Sequence, residues 1–490
     1  MRKRDEQTKG GRQRRVFTPI RVTQGIFAVL FAAMIVYLCL YAYNNRQTMM
    51  SNSYNSRQKI LLEQNARGSI FARDGEVLAE TVTDENGQET RNYPYANTFA
   101  HVVGYASKGK SGIEAQENYW LIRSDIALSE KARLADAGAK KNPGNSVTTT
   151  LCVPLQEVAC KALAAYRGAI IVTDVKTGEI LAMVSKPDYD PNEIDRIWDS
   201  LLNSSKEDAR LLNRVSQGLY PPGSTFKIVT ALEYIRENPT DFRNYHFNCS
   251  GSYRRGEEVI HCFHGESHGS LDFYKAFQKS CNSAFADIGM TLDRERFAAT
   301  LKELGLGKEV PVDFVCNASR SDITASSPDD AVMQTAIGQG ATAVTPLELN
   351  MITQAVANGG VMLTPYLIKS VDSADGKNLY KEAPAKEIAR VMSEDEAAIL
   401  TEMMTLVVNG GTAKRLQEAG YQAAGKTGSA EYDSQQKTES HAWFTGFAPA
   451  EDPQIAVTVI VEQAGGGGEY AVPMAKRIFD AWLDGGVPGS

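Results

Sequence analysis

The segment from Gly218 to Val229 reads GLYPPGSTFKIV and places Ser224 directly after a Pro-Pro-Gly turn. The residues that follow have the apolar spacing of a helix, so Ser224 could serve as its N-cap. Lys227, however, stands where a capping box would have Glu or Gln, and the helix dipole disfavours a cation there. The dipole and burial would lower the pKa of this lysine until it could take a proton from a hydroxyl. The segment therefore predicts a serine nucleophile whose base lies one turn away.

Two further segments carry residue types that suit such a site. SCNSAF, Ser280 to Phe285, combines the hydroxyl of Ser280 with the amide of Asn282, which together can relay a proton and bind an amide. AGKTGSAEY, Ala423 to Tyr432, begins with small residues that let a strand lie close to a ligand. Its lysine, hydroxyls and strand edge could hold a carboxylate and pair with an extended peptide.

Each motif is common when it stands alone. The pattern S-x-x-K occurs four times in the chain, but only the copy at Ser224 has a turn before it and an apolar helix after it. A second Lys-Thr-Gly, Lys176 to Gly178, lies between two apolar strands and predicts a hairpin tip. The order of the three motifs along one chain is therefore more informative than any single one.

The N-terminus predicts a membrane anchor. Residues 1–24 form a basic tail, and residues 25–43 are nineteen residues without a charge. A helix of that length spans about 28 Å, close to the thickness of the hydrocarbon core of a bilayer. The positive charge before it predicts a cytoplasmic N-terminus and an extracytoplasmic remainder. A cleaved signal peptide is the alternative, but the apolar segment is long and no A-x-A site follows it.

The rest of the chain predicts an acidic, folded α+β protein. Residues 22–490 contain 44 Lys and Arg against 57 Asp and Glu, and no basic stripe indicates nucleic-acid binding. Residues 44–146 are assigned to a stalk and pedestal domain, with KKNPGNSV, 140–147, read as a linker. Residues 147–485 begin and end with apolar strands and helices. They are predicted to form an antiparallel sheet flanked by helices.

The cysteines leave three interpretations open. Cys249 and Cys262 bracket a short polar loop and could form a disulfide outside the membrane. They could equally remain free thiols, or bind zinc with nearby histidines, namely His261, His264 and His268. The other cysteines considered, Cys152, Cys160 and Cys316, are predicted to be core residues.

The three motifs in this order resemble the signature of penicillin-binding proteins and class A β-lactamases. The chain is most similar to a class B penicillin-binding protein, a monofunctional peptidoglycan D,D-transpeptidase. RGSIFARDGEVLA, 67–79, and SGIE, 111–114, resemble pedestal motifs of that family, and GQGATAVTPLEL, 338–349, resembles a landmark of its catalytic domain. Two positions depart from the family pattern: Ala72 replaces a usual acid and Ser429 a usual threonine.

The resemblance assigns a role to each site residue. Ser224 is the nucleophile and Lys227 its base, while Ser280 relays a proton to the leaving amine. Asn282 binds the substrate backbone and Lys426 sets the electrostatics of the cleft. The substrate-binding residues are Thr427, Gly428 and Ser429, of which Thr427 and Ser429 bind the terminal carboxylate. The N–H groups of Ser224 and Ser429 form the oxyanion hole.

The resemblance also implies substrates and partners. The expected ligands are peptidoglycan stem peptides and β-lactams, with no cofactor and no metal. The segment of roughly 100 residues before the large domain is too short for a glycosyltransferase, so a SEDS-family glycan polymerase is the expected partner. Three alternatives remain at this point: a β-lactamase, a membrane-anchored β-lactam sensor and a non-catalytic cell-wall scaffold.

Overall fold

The computed structural model of the chain describes residues 19–44, 57–381, 385–430 and 440–485. The chain divides into two units, residues 1–58 and 59–490. The first unit contains the helix Pro19–Asn44, whose length and apolar composition are sufficient to cross a membrane. The predicted anchor, 25–43, lies within this helix. Residues 1–18 of the predicted tail and 45–56 of the predicted stalk lie outside the described residues.

The second unit is a mixture of helices and strands, as the α+β prediction requires. Its α-helices, with the anchor helix excluded, are Arg57–Gln64, Ala100–Val103, Gly112–Gln116, Asn118–Leu121, Leu128–Asp136, Val153–Leu163, Ile194–Leu202, Lys227–Glu237, Phe273–Gln278, Asn282–Thr291, Arg294–Glu303, Asp329–Ala336, Pro346–Ala357, Glu394–Val408 and Ala471–Leu483. Short 3-10 helices occur at Ala96–Phe99, Pro191–Glu193, Gly223–Phe226, Phe242–Asn244, Phe263–Gly265 and Lys414–Leu416.

Within the described residues, the strands form two main sheets and four small pairs. The six-stranded sheet has the order Asn378–Lys381, Ile368–Asp372, Ser146–Thr149, Ile70–Phe71, Val77–Thr83 and Glu89–Asn92. The five-stranded sheet has the order Ala424–Ala430, His441–Ala448, Ile455–Val461, Gly168–Asp174 and Ile180–Lys186. The pairs are Asn65–Ala66 with Asn142–Pro143, Ser252–Arg255 with Glu258–His261, His246–Cys249 with Gly269–Asp272, and Val361–Leu363 with Glu387–Arg390.

The segment 140–147 is not a linker, and this interpretation was wrong. Ser146–Thr149 lies inside the six-stranded sheet, parallel to Ile70–Phe71 on one side and antiparallel to Ile368–Asp372 on the other. Asn145, just before it, is fully buried. The Pro-Gly composition indicated a loop, but pairing with strands distant in the sequence places the segment in a sheet.

The five-stranded sheet is antiparallel throughout and carries helices on both faces. Thr445 and Phe444 are neighbours on one strand, so their side chains point to opposite faces. Thr445 hydrogen-bonds to Thr353 of the helix Pro346–Ala357. Phe444 packs on Phe479 of the C-terminal helix, with ring centroids 6.4 Å apart. The sheet is thus buried between helices, and its edge strand Ala424–Ala430 carries the Lys-Thr-Gly motif.

Candidate active site

Ser224 lies in a 3-10 turn that leads into an α-helix. The turn covers Gly223–Phe226 and the helix begins at Lys227. The N-cap positions of the turn and of the helix are Pro222 and Phe226, so Ser224 caps neither. Its side chain is half-buried and faces a cavity of about 290 Å³. This geometry excludes the capping interpretation and leaves the hydroxyl available for chemistry.

Lys227 is fully buried beneath the turn. Its Nζ donates to the Ser280 carbonyl oxygen at 2.7 Å and to the Asn282 Oδ1 at 2.7 Å, and lies 3.4 Å from the Ser280 Oγ. No carboxylate is among these partners. Burial therefore lowers the pKa of Lys227 to about 7, because the charged form loses its hydration. A lysine with this pKa can accept a proton at neutral pH.

Lys426 approaches the same hydroxyl from the edge strand. Its Nζ donates to the Ser280 Oγ at 2.8 Å and to the Thr427 carbonyl oxygen at 3.0 Å. Burial, with the nearby charge of Lys227 adding to it, holds the pKa of Lys426 well below its usual value. The hydroxyl of Ser280 thus lies between two buried amines, an arrangement that can pass a proton across the site.

The backbone of Ser280 adopts an uncommon conformation to bring its hydroxyl there. Its φ is 55°, in the left-handed region that residues other than glycine rarely occupy. The residue lies between the helices Phe273–Gln278 and Asn282–Thr291. Asn282, in the first turn of the second helix, uses one N–H of its amide to bind the His261 carbonyl oxygen at 3.0 Å. The amide has a second N–H with which a substrate can be bound.

Glycine at position 428 lets the edge strand lie against the serine turn. A Cβ at this position would come within 2.9 Å of the Pro222 carbonyl oxygen and 3.1 Å of the Thr225 Cγ2. The indole N–H of Trp443, on the adjacent strand, donates to the Pro221 carbonyl oxygen at 3.0 Å. The turn and the Lys-Thr-Gly strand are therefore held in direct contact.

The cavity brings together the predicted residues that a substrate would touch. It is lined by Ser224, Ser280, Asn282, Thr427, Gly428 and Ser429, while the two lysines lie behind its wall. Larger cavities of about 790 and 460 Å³ contain none of the predicted catalytic residues. The smaller cavity is therefore the candidate active site.

Sequence reasoning missed several residues of the cavity wall. Thr412 hydrogen-bonds to the Thr427 hydroxyl, and the N–H of Gly467 donates to the Ser429 Oγ at 3.4 Å. A Cβ at Gly467 would come within 2.5 Å of the Gly428 carbonyl oxygen. The run of four glycines at 465–468 was the available signal, since such a run permits close backbone packing.

Cys249 and Cys262 lie behind the cavity and are not bonded to each other. Their sulfur atoms are 3.6 Å apart, and both are free thiols in this structure. Cys281, which the sequence interpretation did not consider, lies 3.7 Å from Cys262, and His268 lies 3.5 Å from Cys249. Of the three interpretations left open by the sequence, the structure shows free thiols, in a group of three thiols and one imidazole.

Comparison with known proteins assigns the chain to a family. The penicillin binding protein transpeptidase domain matches residues 168–480. The chain belongs to the penicillin-binding protein transpeptidase family. A penicillin binding protein A dimerisation domain also matches residues 67–147. The resemblance to class B penicillin-binding proteins and the predicted fold class are both confirmed.

Individual relatives cover most of the chain. Peptidoglycan D,D-transpeptidase PbpA of Mycolicibacterium smegmatis is 32% identical over 455 residues, covering 87% of this chain and 91% of that protein. Penicillin-binding protein A of M. tuberculosis, solved as a ceftriaxone acyl-enzyme complex, has a TM-score of 0.78 at 29% identity, covering 86% of this chain and 100% of the other. A D,D-transpeptidase domain from Eggerthella lenta has a TM-score of 0.76 at 31% identity, covering 86% of this chain and 99% of the other.

Proposed function

We propose that the protein is a peptidoglycan D,D-transpeptidase that works through an acyl-enzyme on Ser224. The observation that carries this proposal is the pair of buried amines, Lys227 and Lys426, around the hydroxyl of Ser280 beside the Ser224 cavity. A non-catalytic scaffold would need no second buried lysine in contact with this hydroxyl. The relatives named PbpA support the same reaction class.

The reaction proceeds by two acyl transfers. The Ser224 oxygen attacks the carbonyl between the two terminal D-alanines of a stem peptide, and its proton passes to Lys227. The C–N bond then breaks, and the leaving amine takes a proton through Ser280. An amine of a second stem peptide attacks the ester, forms the cross-link and releases Ser224. One amide is exchanged for another, so the reaction needs no nucleotide.

The edge strand Ala424–Ala430 supplies the substrate-binding surface. An extended peptide can pair with its free edge, as peptides do in other sheet-edge complexes. The hydroxyls of Thr427 and Ser429 bind the terminal carboxylate of the substrate. The N–H groups of Ser224 and Ser429 form the oxyanion hole, in which a single donor contributes about 3–4 kcal/mol to catalysis.

Covalent labelling with a fluorescent penicillin tests the acyl-enzyme. Wild-type protein is expected to give a stable labelled band that Ser224→Ala abolishes. Ser107→Ala is the matched control, because Ser107 and Lys110 repeat the S-x-x-K pattern outside the cavity. An unlabelled wild-type protein would contradict the proposal. Rapid loss of the label through hydrolysis would indicate a β-lactamase instead.

The helix Pro19–Asn44 anchors the enzyme in the cell membrane, and the catalytic unit lies outside. The basic tail before the helix supports this orientation through the positive-inside rule. Protease added to intact spheroplasts should digest the catalytic unit and spare an epitope at the N-terminus. The opposite protection pattern would reverse the orientation.

A SEDS-family glycan polymerase is the proposed partner, because the segment of roughly 100 residues before the large domain is too short for a glycosyltransferase. Contact would involve the membrane helix and the segment 67–147. Co-purification of tagged full-length protein from membranes is expected to recover the polymerase. A chimera carrying an unrelated membrane helix is the control, and equal recovery with it would exclude the helix from the contact.

A further inference from the structure

Four potential metal ligands converge beside the active-site cavity, at Cys249, Cys262, His268 and Cys281, and His268 also lines that cavity. Their ligand atoms all lie within 4.8 Å of one another. The three cysteines are buried, and the side chain of His268 is only 9% exposed. Three thiols and an imidazole are the ligand set of a Cys₃His zinc site.

Three of the distances within the group match tetrahedral coordination. Zinc–sulfur bonds of about 2.3 Å and zinc–nitrogen bonds of about 2.0 Å place two sulfurs about 3.8 Å apart and a sulfur about 3.5 Å from a nitrogen. The observed Sγ to Sγ distances are 3.6 Å and 3.7 Å. The distance from the Cys249 Sγ to the His268 Nδ1 is 3.5 Å. Three of the six pairs of ligand atoms therefore have nearly the spacing that a zinc ion requires, and the remaining pairs lie within 4.8 Å.

Each sulfur also faces a hydrogen-bond donor. The N–H of Gly251 lies 3.4 Å from the Cys249 Sγ, and the N–H of Ala284 lies 3.4 Å from the Cys281 Sγ. The Ser283 hydroxyl lies 3.1 Å from the Cys262 Sγ. The Nε2 of His268 lies 4.0 Å from a carboxylate oxygen of Glu266. Donors to thiolates and a carboxylate near the imidazole are the outer contacts that orient zinc ligands.

A disulfide, or simple packing of free thiols, explains fewer of these contacts than a zinc site does. A disulfide would join two of the sulfurs and leave a third thiol buried beside it. Packed thiols would not require an imidazole nitrogen directed at one of them. Soft thiolate ligands in a closed tetrahedral group favour zinc over magnesium or calcium, which prefer oxygen.

We propose that Cys249, Cys262, His268 and Cys281 bind one Zn²⁺ ion, which positions the segment Ser280–Asn282 in the active site. Cys281 lies directly between Ser280 and Asn282, so a bond from it to the metal restrains both neighbours. The other three ligands come from the segment 246–272, which packs against this motif. The proposal departs from the expectation of an enzyme without metal.

Metal analysis of the full-length protein tests the site independently of any activity. The protein is purified in detergent without chelators, using an affinity tag that contains no histidine. About one zinc per chain is expected by plasma mass spectrometry. Cys281→Ser and His268→Ala should retain less than about a tenth of it, whereas the controls Cys316→Ser and His264→Ala should retain it fully.

Cobalt substitution covers the case in which a ligand variant fails to fold. Wild-type protein freed of metal by chelation should bind one Co²⁺ and show the intense visible bands of a tetrahedral cobalt thiolate. Three results would overturn the proposal. The first is wild-type protein that takes up neither zinc nor cobalt, and the second is protein that contains iron or copper at full occupancy. The third is a Cys249–Cys262 disulfide found by peptide mapping.

The effect of the metal on the position of the segment Ser280–Asn282 is measured in a separate experiment. Chelation of wild-type protein should lower the rate of penicillin acylation about tenfold or more, and added Zn²⁺ should restore it. Cys316→Ser carried through the same treatment is the control. An unchanged rate in protein that has demonstrably lost its zinc would overturn the positioning effect while leaving the metal site intact. Failure of acylation in untreated protein would concern the proposed function instead.

Discussion

As the proposed base, Lys227 is expected to set the pH range in which Ser224 reacts. Its ammonium group has no carboxylate among its hydrogen-bond partners, which are the oxygens of Ser280 and Asn282. Burial therefore lowers the pKa of this lysine to about 7. Above that pH the neutral amine predominates and can accept the Ser224 proton, and below it the protonated amine cannot.

The acylation rate is expected to follow this titration. It should rise about tenfold per pH unit below pH 7 and become constant above it, because only the neutral amine acts as base. Stopped-flow measurement of penicillin acylation across this range checks the profile, with the unfolding midpoint recorded at each pH. A rate that does not change with pH while the protein stays folded would exclude Lys227 as the titrating base.

Substitution of Lys227 by arginine separates the role of this residue as a base from its positive charge. Lys227→Arg keeps a cation but cannot lose its proton, so acylation should fall at least about 100-fold. Lys275→Arg, at an exposed position outside the cavity, is the control and should retain the wild-type rate. The same acylation assay measures both variants, and wild-type activity in Lys227→Arg would disprove proton abstraction by this lysine.

Ser280 combines a hydroxyl that we propose is required for acylation with a left-handed backbone conformation. Both Ser280→Ala and Ser280→Gly should lose acylation, because neither offers an oxygen to the two lysines. They should differ in stability, since only glycine adopts a φ of 55° without steric cost. Ser280→Gly is expected to be about 1 kcal/mol more stable than Ser280→Ala in thermal unfolding. Equal midpoints would show that the conformation carries no strain.

The contact between the edge strand Ala424–Ala430 and the turn Gly223–Phe226 depends on glycine, which has no side chain, at position 428. Gly428→Ala would push the strand Ala424–Ala430 away from Pro222, because the added Cβ lies 2.9 Å from a carbonyl oxygen. We expect a loss of about 1–3 kcal/mol in stability and a marked fall in acylation rate. Gly420→Ala, where nothing lies within 4 Å of the added Cβ, is the control. Identical behaviour of the two variants would contradict the packing argument.

Secondary structure was predictable where pairing is local. The hairpin at 168–186 joins its strands through a short turn, and its tip at Lys176–Gly178 was predicted from turn residues between two apolar strands. Ser146–Thr149 was missed because one of its partners, Ile368–Asp372, lies more than two hundred residues further along the chain. Local composition holds no information about such a partner.

The site was predictable where one segment holds the chemistry. Ser224 and Lys227 stand three residues apart, so the helical period predicts that they are close, although the hydrogen bonds found for the Lys227 Nζ go to Ser280 and Asn282. The group around Cys281 draws ligands from separate loops at irregular spacing, and the sequence could not distinguish His268 from His261 or His264. The left-handed conformation of Ser280 is likewise a tertiary effect that its residue type does not indicate.

The pedestal and the catalytic sheet belong to one folded unit, and a buried ionic group lies at the pedestal's centre. Arg67 and Arg91 both contact Glu114, at 2.5 Å and 2.7 Å. Arg67 comes from the RGSIF segment and Glu114 from SGIE, so this ion pair joins the two pedestal motifs. Burial raises the pKa of Glu114, but the two guanidinium groups outweigh it and hold the pKa below its usual value.

Removing this carboxylate is expected to unfold the pedestal at lower temperature. Glu114→Gln leaves two guanidinium groups without a counter-charge and should cost about 3–5 kcal/mol. Thermal unfolding of the full-length protein measures the change, and Glu130→Gln, at an exposed pair with Arg133, should show none. Because the folded pKa of Glu114 is lowered, its contribution is complete above about pH 4.5 and is lost as pH falls. The difference in stability between wild type and Glu114→Gln should therefore become smaller at acidic pH. A difference that does not change with pH would show that the variant is destabilised by altered packing rather than by loss of the charge.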